Sequence, residues 1–365
     1  MVKISNWQAV LIYFAVQGAS QALTLPPVAS SLAQEGSWLS VPVATCASLP
    51  ILGVVLILAR RFPEEDLLQY GERVLGHFLG KVLGLAYVFY FLEIAALEVR
   101  RFNIFLTTDL LPQTPPVVIL VLLVSLSASA ARNGVEVIGR LAELFVPFGF
   151  LFMFMIFAVH LSHFRAENLR PWLGAGWGPV LANSLTTLPW LGQVFLLGII
   201  YPVIRDQERS GRHFLLASIS WGAFLSLFCM ITISTFGAPL TARLTFPGYS
   251  LAERVRVGGF LEGMDVLLFV IWVTGVFLEI SLFHLLAAQT LARLLHLRDY
   301  QRLVLPVGVL MVVLAQIMAE NVAQLQAFLR PAVFVPFTLT FQLLFPLGLL
   351  LAAWLRGLKG ADRRG

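Results

Sequence analysis

The sequence predicts an all-α polytopic membrane protein of ten transmembrane helices, arranged as a 5+5 inverted repeat with helices 1 and 6 broken. Three observations predict it. Hydrophobic residues make up 58% of the 365 and charged residues 12%, half the roughly 25% of soluble domains, and the mean hydropathy is +0.85. Ten segments reach the ~20 largely apolar residues that cross ~30 Å of hydrocarbon. Two of them are interrupted in the same style, about half a chain apart, which is the sequence pointer to a midplane site in an inverted-repeat fold.

The segments are 7–34, 38–60, 80–110, 115–131, 134–161, 179–204, 213–236, 264–294, 303–319 and 331–355. The first is broken at Gly18-Ala19-Ser20-Gln21-Ala22-Leu23-Thr24-Leu25-Pro26-Pro27. The third opens on Gly76, Gly80 and Gly84, a small-xxx-small spacing that lets a neighbouring helix approach closely. Ser125, Ser127 and Ala128 to Ala131 thin the fourth in the same way. The sixth is broken at Thr186-Thr187-Leu188-Pro189-Trp190-Leu191-Gly192. No long hydrophilic stretch separates the segments, so the chain reads as one membrane domain: a first repeat over 1–161, a second over 179–355, and a basic tail at 356–365.

Seventeen of the 25 basic residues, from Lys3 through Arg60, Arg140, Arg205 and Arg293 to Arg364, fall in alternate loops; six fall in the others, and Arg100 and Arg101 lie inside span three. The positive-inside rule then places both termini in the cytoplasm, as an even number of spans requires. A competing reading takes Lys3, the apolar run Ala9–Val16 and the small residues after it as a signal peptide, but cleavage there would leave nine spans and upset the charge alternation. Cys46 and Cys229 sit inside apolar spans and read as buried thiols. The connection 237–263 carries Phe246-Pro247-Gly248-Tyr249 and the run Leu251–Arg256, which fits an interfacial helix over an outer vestibule or a plain surface loop.

The physics of the breaks predicts a ligand. An outward-running first span has an outer half-helix starting near Gln21–Pro26, whose free N–H groups and positive dipole end suit a carboxylate. The inward-running sixth span has an outer half ending near Thr186 and Thr187, whose carbonyls suit an α-ammonium. Donors on one side and acceptors on the other complement an α-amino acid. The candidate binding residues are Gln17, Gly18, Ala19, Ser20, Gln21, Thr187, Leu188, Pro189 and Gln193, with Thr24 and Thr186 nearby and Trp190 facing either an apolar ligand group or the core.

Charges at membrane depth cost about 2.5–3.5 kcal/mol each on insertion scales. Span three holds Glu93, Glu98, Arg100 and Arg101, spaced to pair as Glu93–Arg100 and Glu98–Arg101. Glu279 lies mid-span with no sequence-local base, which makes it the candidate for a coupling carboxylate or a long-range partner of an arginine. Thr274 is near enough to reach a central site, whereas His284 does not share the Glu279 face. Arg140 and Glu143 read as a local ion pair, and His160 with His163 lack a third metal ligand. No G-x-S-x-G, H-E-x-x-H, P-loop or G-x-G-x-x-G occurs. The chain therefore reads as a non-enzyme without cofactor or metal; a polytopic lipid-acting enzyme finds no nucleophile–base constellation.

Markers along nearly the whole chain resemble the B subunits of spore nutrient-germinant receptors, the endospore germination permeases of the amino acid–polyamine–organocation superfamily. They include Ile4-Ser5-Asn6-Trp7-Gln8, Gly18 with Leu25-Pro26, Ala59-Arg60-Arg61-Phe62-Pro63, Tyr90-Phe91-Leu92 with Arg100, Leu111-Pro112-Gln113-Thr114-Pro115, Gly134-x-Glu136-x-x-x-Arg140, and Phe246-Pro247 with Gly259-Phe260-Leu261-Glu262. The resemblance implies a LeuT-like fold in the spore inner membrane or cell membrane. It implies a small-molecule nutrient, usually an amino acid, bound near Gly18, Ile94, Leu188, Thr274 and Leu278, with Tyr90 on a polar path. It also implies A and C subunits as partners, and sensing rather than pumping. Gln193 stands where the family commonly has an acidic residue, and Glu93 and Glu98 are unusual, so ligand charge and ion dependence stay open. An ion-coupled amino-acid transporter of the same fold is the alternative.

Overall fold

The structure, a computed structural model, describes residues 3–21, 25–174, 176–254, 264–319 and 321–358. Helix α1 (Asn6–Gln21) is followed by α2 (Leu25–Ala33), and a 3₁₀ turn at Gln34–Gly36 leads into α3 (Ser37–Arg61). Gln34 has φ 48°, a left-handed conformation that marks a sharp change of direction. Across the turn, Ser30 Oγ and Ser37 Oγ lie 3.4 Å apart. Then come α4 (Leu67–Leu75), α5 (His77–Phe105) with a π-helical end at Leu106–Leu110, α6 (Pro116–Asn133) and α7 (Val135–Leu161). The second half holds α8 (Trp177–Leu191), a 3₁₀ segment Gly192–Leu196, α9 (Leu197–Ile200), α10 (Gln207–Phe236), α11 (Ala238–Thr241) and α12 (Pro247–Glu253). It continues with α13 (Met264–Leu294), α14 (Gln301–Met318), α15 (Val322–Phe328), α16 (Pro331–Leu339), a π segment Thr340–Leu344, and α17 (Phe345–Leu355).

Among the described residues, nine helical stretches are long and apolar enough to cross a membrane, the first running from Leu25 to Arg61 over 37 residues. That is about 55 Å of helix if straight, more than one crossing needs. It comprises α2, the second half of span one, and α3, which returns. With α1 as the other half of span one, the ten expected spans are accounted for. Two glycines set the sharp reversals on one face: Gly76 (φ 87°) between α4 and α5, and Gly134 (φ 83°) between α6 and α7, both in a region closed to most side chains.

Burial separates central from peripheral helices. The window of the sixth span is 83% buried and that of α5 72%, against 28% for α7 and α14; lipid-facing residues of the latter account for their exposure. Of the three spaced glycines of span three, Gly80 and Gly84 pack, while Gly76 meets nothing within 4 Å and serves the turn. A Cβ at Gly80 would lie 2.5 Å from Glu72 Cα, and one at Gly84 would lie 2.8 Å from Leu294 Cδ2. Phe91 contacts Phe283 and Phe102 contacts Trp272, with ring centroids 6.2 and 5.4 Å apart. So α5 and α13 run antiparallel, and Glu279 stands level with the middle of α5.

One face of the bundle is tied together by hydrogen bonds. Ile4 N donates to Val203 O (2.8 Å) and Arg205 N to Ile4 O (3.0 Å); Gln207 Nε2 donates to Pro63 O (2.8 Å). Arg61 donates to the carbonyls of Leu358 and Ala353 at the end of α17. Both ends of the described chain therefore lie on one face. Helix α4, read as loop in the sequence, lies here with a capping box in which Asp66 Oδ1 accepts from Leu68 N and Gln69 N (3.0 Å each) and Gln69 Oε1 accepts from Asp66 N (2.9 Å). Asp66 also pairs with Arg293 of α13. Asp66→Ala is expected to lower stability by about 1–2 kcal/mol, mostly from the lost cap, since the half-exposed Arg293 contributes less than 1 kcal/mol. The urea midpoint of detergent-purified protein measures it.

Two local pairings differ from the sequence expectation. Arg140 pairs with Glu136, one turn back on the same face, while Glu143 turns toward α1 and accepts from Gln8 Nε2 at 3.1 Å. Arg100 donates to Asn103 Oδ1 (3.2 Å), not along the seven-residue spacing toward Glu93. Glu98–Arg101 pair as expected at 2.9 Å. On the opposite face, Phe246 and Tyr249 dock on Phe105 (4.7 and 5.8 Å), so α12 seats on the ends of α5 and α13. The run expected over 251–256 is helical to Glu253, with Leu251 and Ala252 buried. Val255, Arg256 and the Gly259–Glu262 marker lie outside the described residues.

Candidate ligand site at the interrupted helices

Helix α1 places Tyr13, Gln17 and Gln21 at four-residue spacing, on one helical face, and buries all three. Gln21 Nε2 donates to Gln17 Oε1, and Trp221 Nε1 from α10 donates to Gln21 Oε1 at 3.1 Å. Tyr13 faces Gln17 and Ser218 of α10. Tyr13 Oη, Gln17 Nε2 and Ser218 Oγ are nevertheless buried without a partner at bonding geometry. Buried polar groups are normally satisfied, so these three groups, facing one another, form a buried polar cluster with hydrogen-bonding capacity left over. The helix ends at Gln21; residues 22–24, including Thr24, lie outside the described residues, as do the side chains of Ala19 and Ser20.

The second break differs in position from the expectation. Helix α8 runs through Thr186, Thr187 and Pro189 to Leu191, and the interruption is the 3₁₀ segment Gly192–Leu196. Pro189 removes only one N–H from the ladder, which shortens no helix by itself. The Thr186 and Thr187 hydroxyls bond back to Ala182 O (3.2 Å) and Asn183 O (3.0 Å). The carbonyl reached by a side chain is instead that of Pro189, which accepts from Gln342 Nε2 at 2.7 Å.

Gln342 was not singled out from the sequence. It sits in the π segment between α16 and α17, a feature that concentrates at functional sites. There it also donates to Tyr90 Oη (3.1 Å), while Tyr87 Oη donates to Phe341 O (2.8 Å). Gly192 lies so close that a Cβ would fall 2.2 Å from Gln342 Oε1. That Oε1 and Gln193 Oε1 are both buried without a partner. Pro336 and Pro346 flanking this segment were the available signal, as was the four-residue stripe on span one.

Gln21, Thr186, Trp190 and Arg101 share a cavity of about 70 Å³ that joins α1, α8, α5 and α16. Trp190 packs on Phe334 (4.8 Å) with the Arg101 guanidinium 5.3 Å from its ring centroid, a cation–π contact. On the terminus-bearing face, a separate vestibule of about 380 Å³ runs between α4, α9 and α13 to Leu282. Thus both sides of the bundle carry a recess and the buried polar groups lie between them.

Gly18 and Leu278 line an apolar groove on the flank of α1 next to its Gln17–Gln21 face. Ile94 and Leu188 are buried core residues. Thr274 stays apart, its hydroxyl donating to Val270 O at 2.8 Å. Glu279 is fully buried, within electrostatic reach of Tyr90, whereas Glu93 is half-buried on α5. His284 is a structural bridge: Ser127 Oγ lies 2.9 Å from Nδ1 and Val304 O lies 2.7 Å from Nε2. No group of three or more potential metal ligands occurs among the described residues.

Helices interrupted at the centre of an all-α bundle, with a buried polar site between opposing recesses, define a multi-pass membrane protein of the receptor or transporter class. Solved structures agree on the fold. MhsT in complex with L-phenylalanine superposes with a TM-score of 0.61 at 13% identity, over 94% of this chain and 98% of that one. A substrate-bound, outward-open Na⁺-coupled sialic acid symporter gives a TM-score of 0.67 at 12% identity, over 93% and 79%. The fold is therefore LeuT-like.

The chain belongs to the spore permease family of spore germination proteins, whose family model matches residues 3–323. It is similar to spore germination protein KB of Bacillus subtilis (strain 168), 27% identical over 96% of this chain and 94% of that protein. It is also similar to spore germination protein A2 of the same strain (23%, 80% of each) and to spore germination protein XB of Bacillus anthracis (23%, 76% and 78%). Family and fold are those of receptors and transporters, not of enzymes.

Proposed function

We propose that this chain is the nutrient-binding subunit of a spore germinant receptor, holding an α-amino acid at the membrane midplane and signalling through A and C subunits. One observation carries the reading: buried, unpartnered polar atoms of Tyr13, Gln17, Ser218, Gln193 and Gln342 gather around the two helix interruptions. Of the first four residues of α2 only Leu25 and Val28 carry an N–H, since Pro26 and Pro27 have none, and these two serve the carboxylate. Gln193 Oε1 and Gln342 Oε1 supply acceptors for the ammonium, and Gln17 Nε2 adds a donor for the carboxylate. Residues 1–161 and 179–355 act as inverted repeats hinged at these breaks. Both termini face the cytoplasm, in the spore inner membrane, which turns the Asp66–Arg293 vestibule inward and the Trp190–Phe334 contact outward.

A second reading, ion-coupled amino-acid transport, is favoured by the fully buried Glu279 and by the recess on each side of the site. Liposomes containing the purified protein, given labelled L-amino acids and a proton or sodium gradient, separate the two. A sensor binds saturably and leaves the interior at the outside concentration; gradient-driven accumulation, abolished in Glu279→Gln, would establish the transporter instead.

A further inference from the structure

We infer that the apolar groove between α1, α7, α10 and α13 receives the ligand's side chain, so that this protein selects large apolar amino acids over glycine and alanine. The inference rests on the amino-acid reading above and names the substrate class of that site. The groove is a cavity of about 100 Å³ with walls of Phe14, Phe150, Trp221, Phe224 and Trp272. Gly18 and Gly149 keep side chains out of it: a Cβ at Gly18 would make ordinary contact with Trp221 Cη2 at 3.5 Å, and one at Gly149 would press on Ile271 Cγ2 at 3.2 Å.

Trp221 connects the groove to the polar site. Its Nε1 donates to Gln21, while the far edge of the same indole borders Gly18. A ligand whose charged head lies in the cavity beside Gln21 therefore has the groove within one side chain's reach, past Gly18. An apolar cavity of roughly 150 Å³ stays dry and accepts a benzene ring, so this smaller one suits a branched aliphatic group, and a phenyl ring only once it is enlarged. Glycine or alanine would leave it empty. Each methylene buried there is worth roughly a fourfold gain in affinity. The aromatic wall comes from α7 and α10 as well as from α1 and α13, so side-chain selection draws on two helices that were absent from the expected pocket.

The test is equilibrium binding to wild-type protein in nanodiscs, using glycine, L-alanine, L-valine, L-leucine and L-phenylalanine as probes. Affinity is expected to rise by about fourfold per added methylene from alanine to leucine. Gly149→Ile, which fills the groove far from Gln17, is expected to erase the preference for leucine while alanine still binds. Should Gly149→Ile not fold, Phe150→Ala enlarges the groove and is expected to favour phenylalanine over leucine by about tenfold relative to wild type. Equal affinities across the series, or a preference untouched by both variants, would overturn the side-chain assignment and leave amino-acid binding standing. A phospholipid retained by ligand-saturated wild type and lost from Gly149→Ile would assign the groove to an acyl chain and overturn it as well. Binding of none of the probes to folded protein overturns both readings.

Discussion

Gly192→Ala is expected to destabilise the protein by about 2–4 kcal/mol, as much as Gln342→Leu, through the same broken bonds. The added Cβ would lie 2.2 Å from Gln342 Oε1 and 3.1 Å from Ile51 Cδ1, a contact that backbone shifts of a few tenths of an ångström do not relieve. Gln342 must swing away, and with it go the bonds to Pro189 O at 2.7 Å and Tyr90 Oη at 3.1 Å. Each buried group left unpaired costs about 1–3 kcal/mol. Gln342→Leu removes the same two bonds without the clash. Because both changes act on one contact, the double variant is expected to lose little more than either single one, a coupling of about 1–3 kcal/mol. Urea unfolding of the three variants in a single detergent gives the cycle. Strictly additive losses would mean that Gly192 matters for another reason.

Gly18→Trp is expected to do the opposite: leave the fold and remove the ligand. A Cβ at Gly18 would make ordinary contact with Trp221 Cη2 at 3.5 Å and meet no other atom within 4 Å, so an indole starts unclashed and turns along the groove. It then occupies the volume between the Gln17–Gln21 pair and the aromatic wall. The apparent melting temperature of the empty protein should stay within about 4 °C of wild type, the shift that roughly 1 kcal/mol produces in a large domain. Amino-acid binding should weaken by more than about a hundredfold, the loss of some 2.7 kcal/mol of contact. Lost folding together with lost binding would show that Gly18 is a packing glycine.

The unequal legibility of fold and site has physical causes. Membrane spans are declared by local composition, and the break in span one by Gly18 and Pro26 within ten residues of each other. The α4 helix was readable too, as Asp66 followed three residues later by Gln69, but charge around it reads as loop. The break in span six was misplaced by a turn because a proline deletes one hydrogen bond, whereas the chain departs from α-helix where Gly192 must fit beneath Gln342. Gln342, Ser218 and Trp221 reach the site from helices far along the chain. A lone polar residue in an apolar span carries no sign of what it will face. Thr274 shows the converse, a residue at the right depth whose hydroxyl is spent on its own helix.

The proposed amino-acid site at the interrupted helices stands or falls on Gln17 and its neighbours. The most direct measurement is equilibrium binding of labelled L-amino acids to purified protein in nanodiscs, comparing wild type with Gln17→Leu. Saturable binding at one site per chain, weakened by about tenfold or more in Gln17→Leu through loss of ~1.4 kcal/mol or more of polar contact, is the predicted result. Folded wild-type protein that binds no amino acid, or binds one with an affinity indifferent to Gln17→Leu, would contradict it.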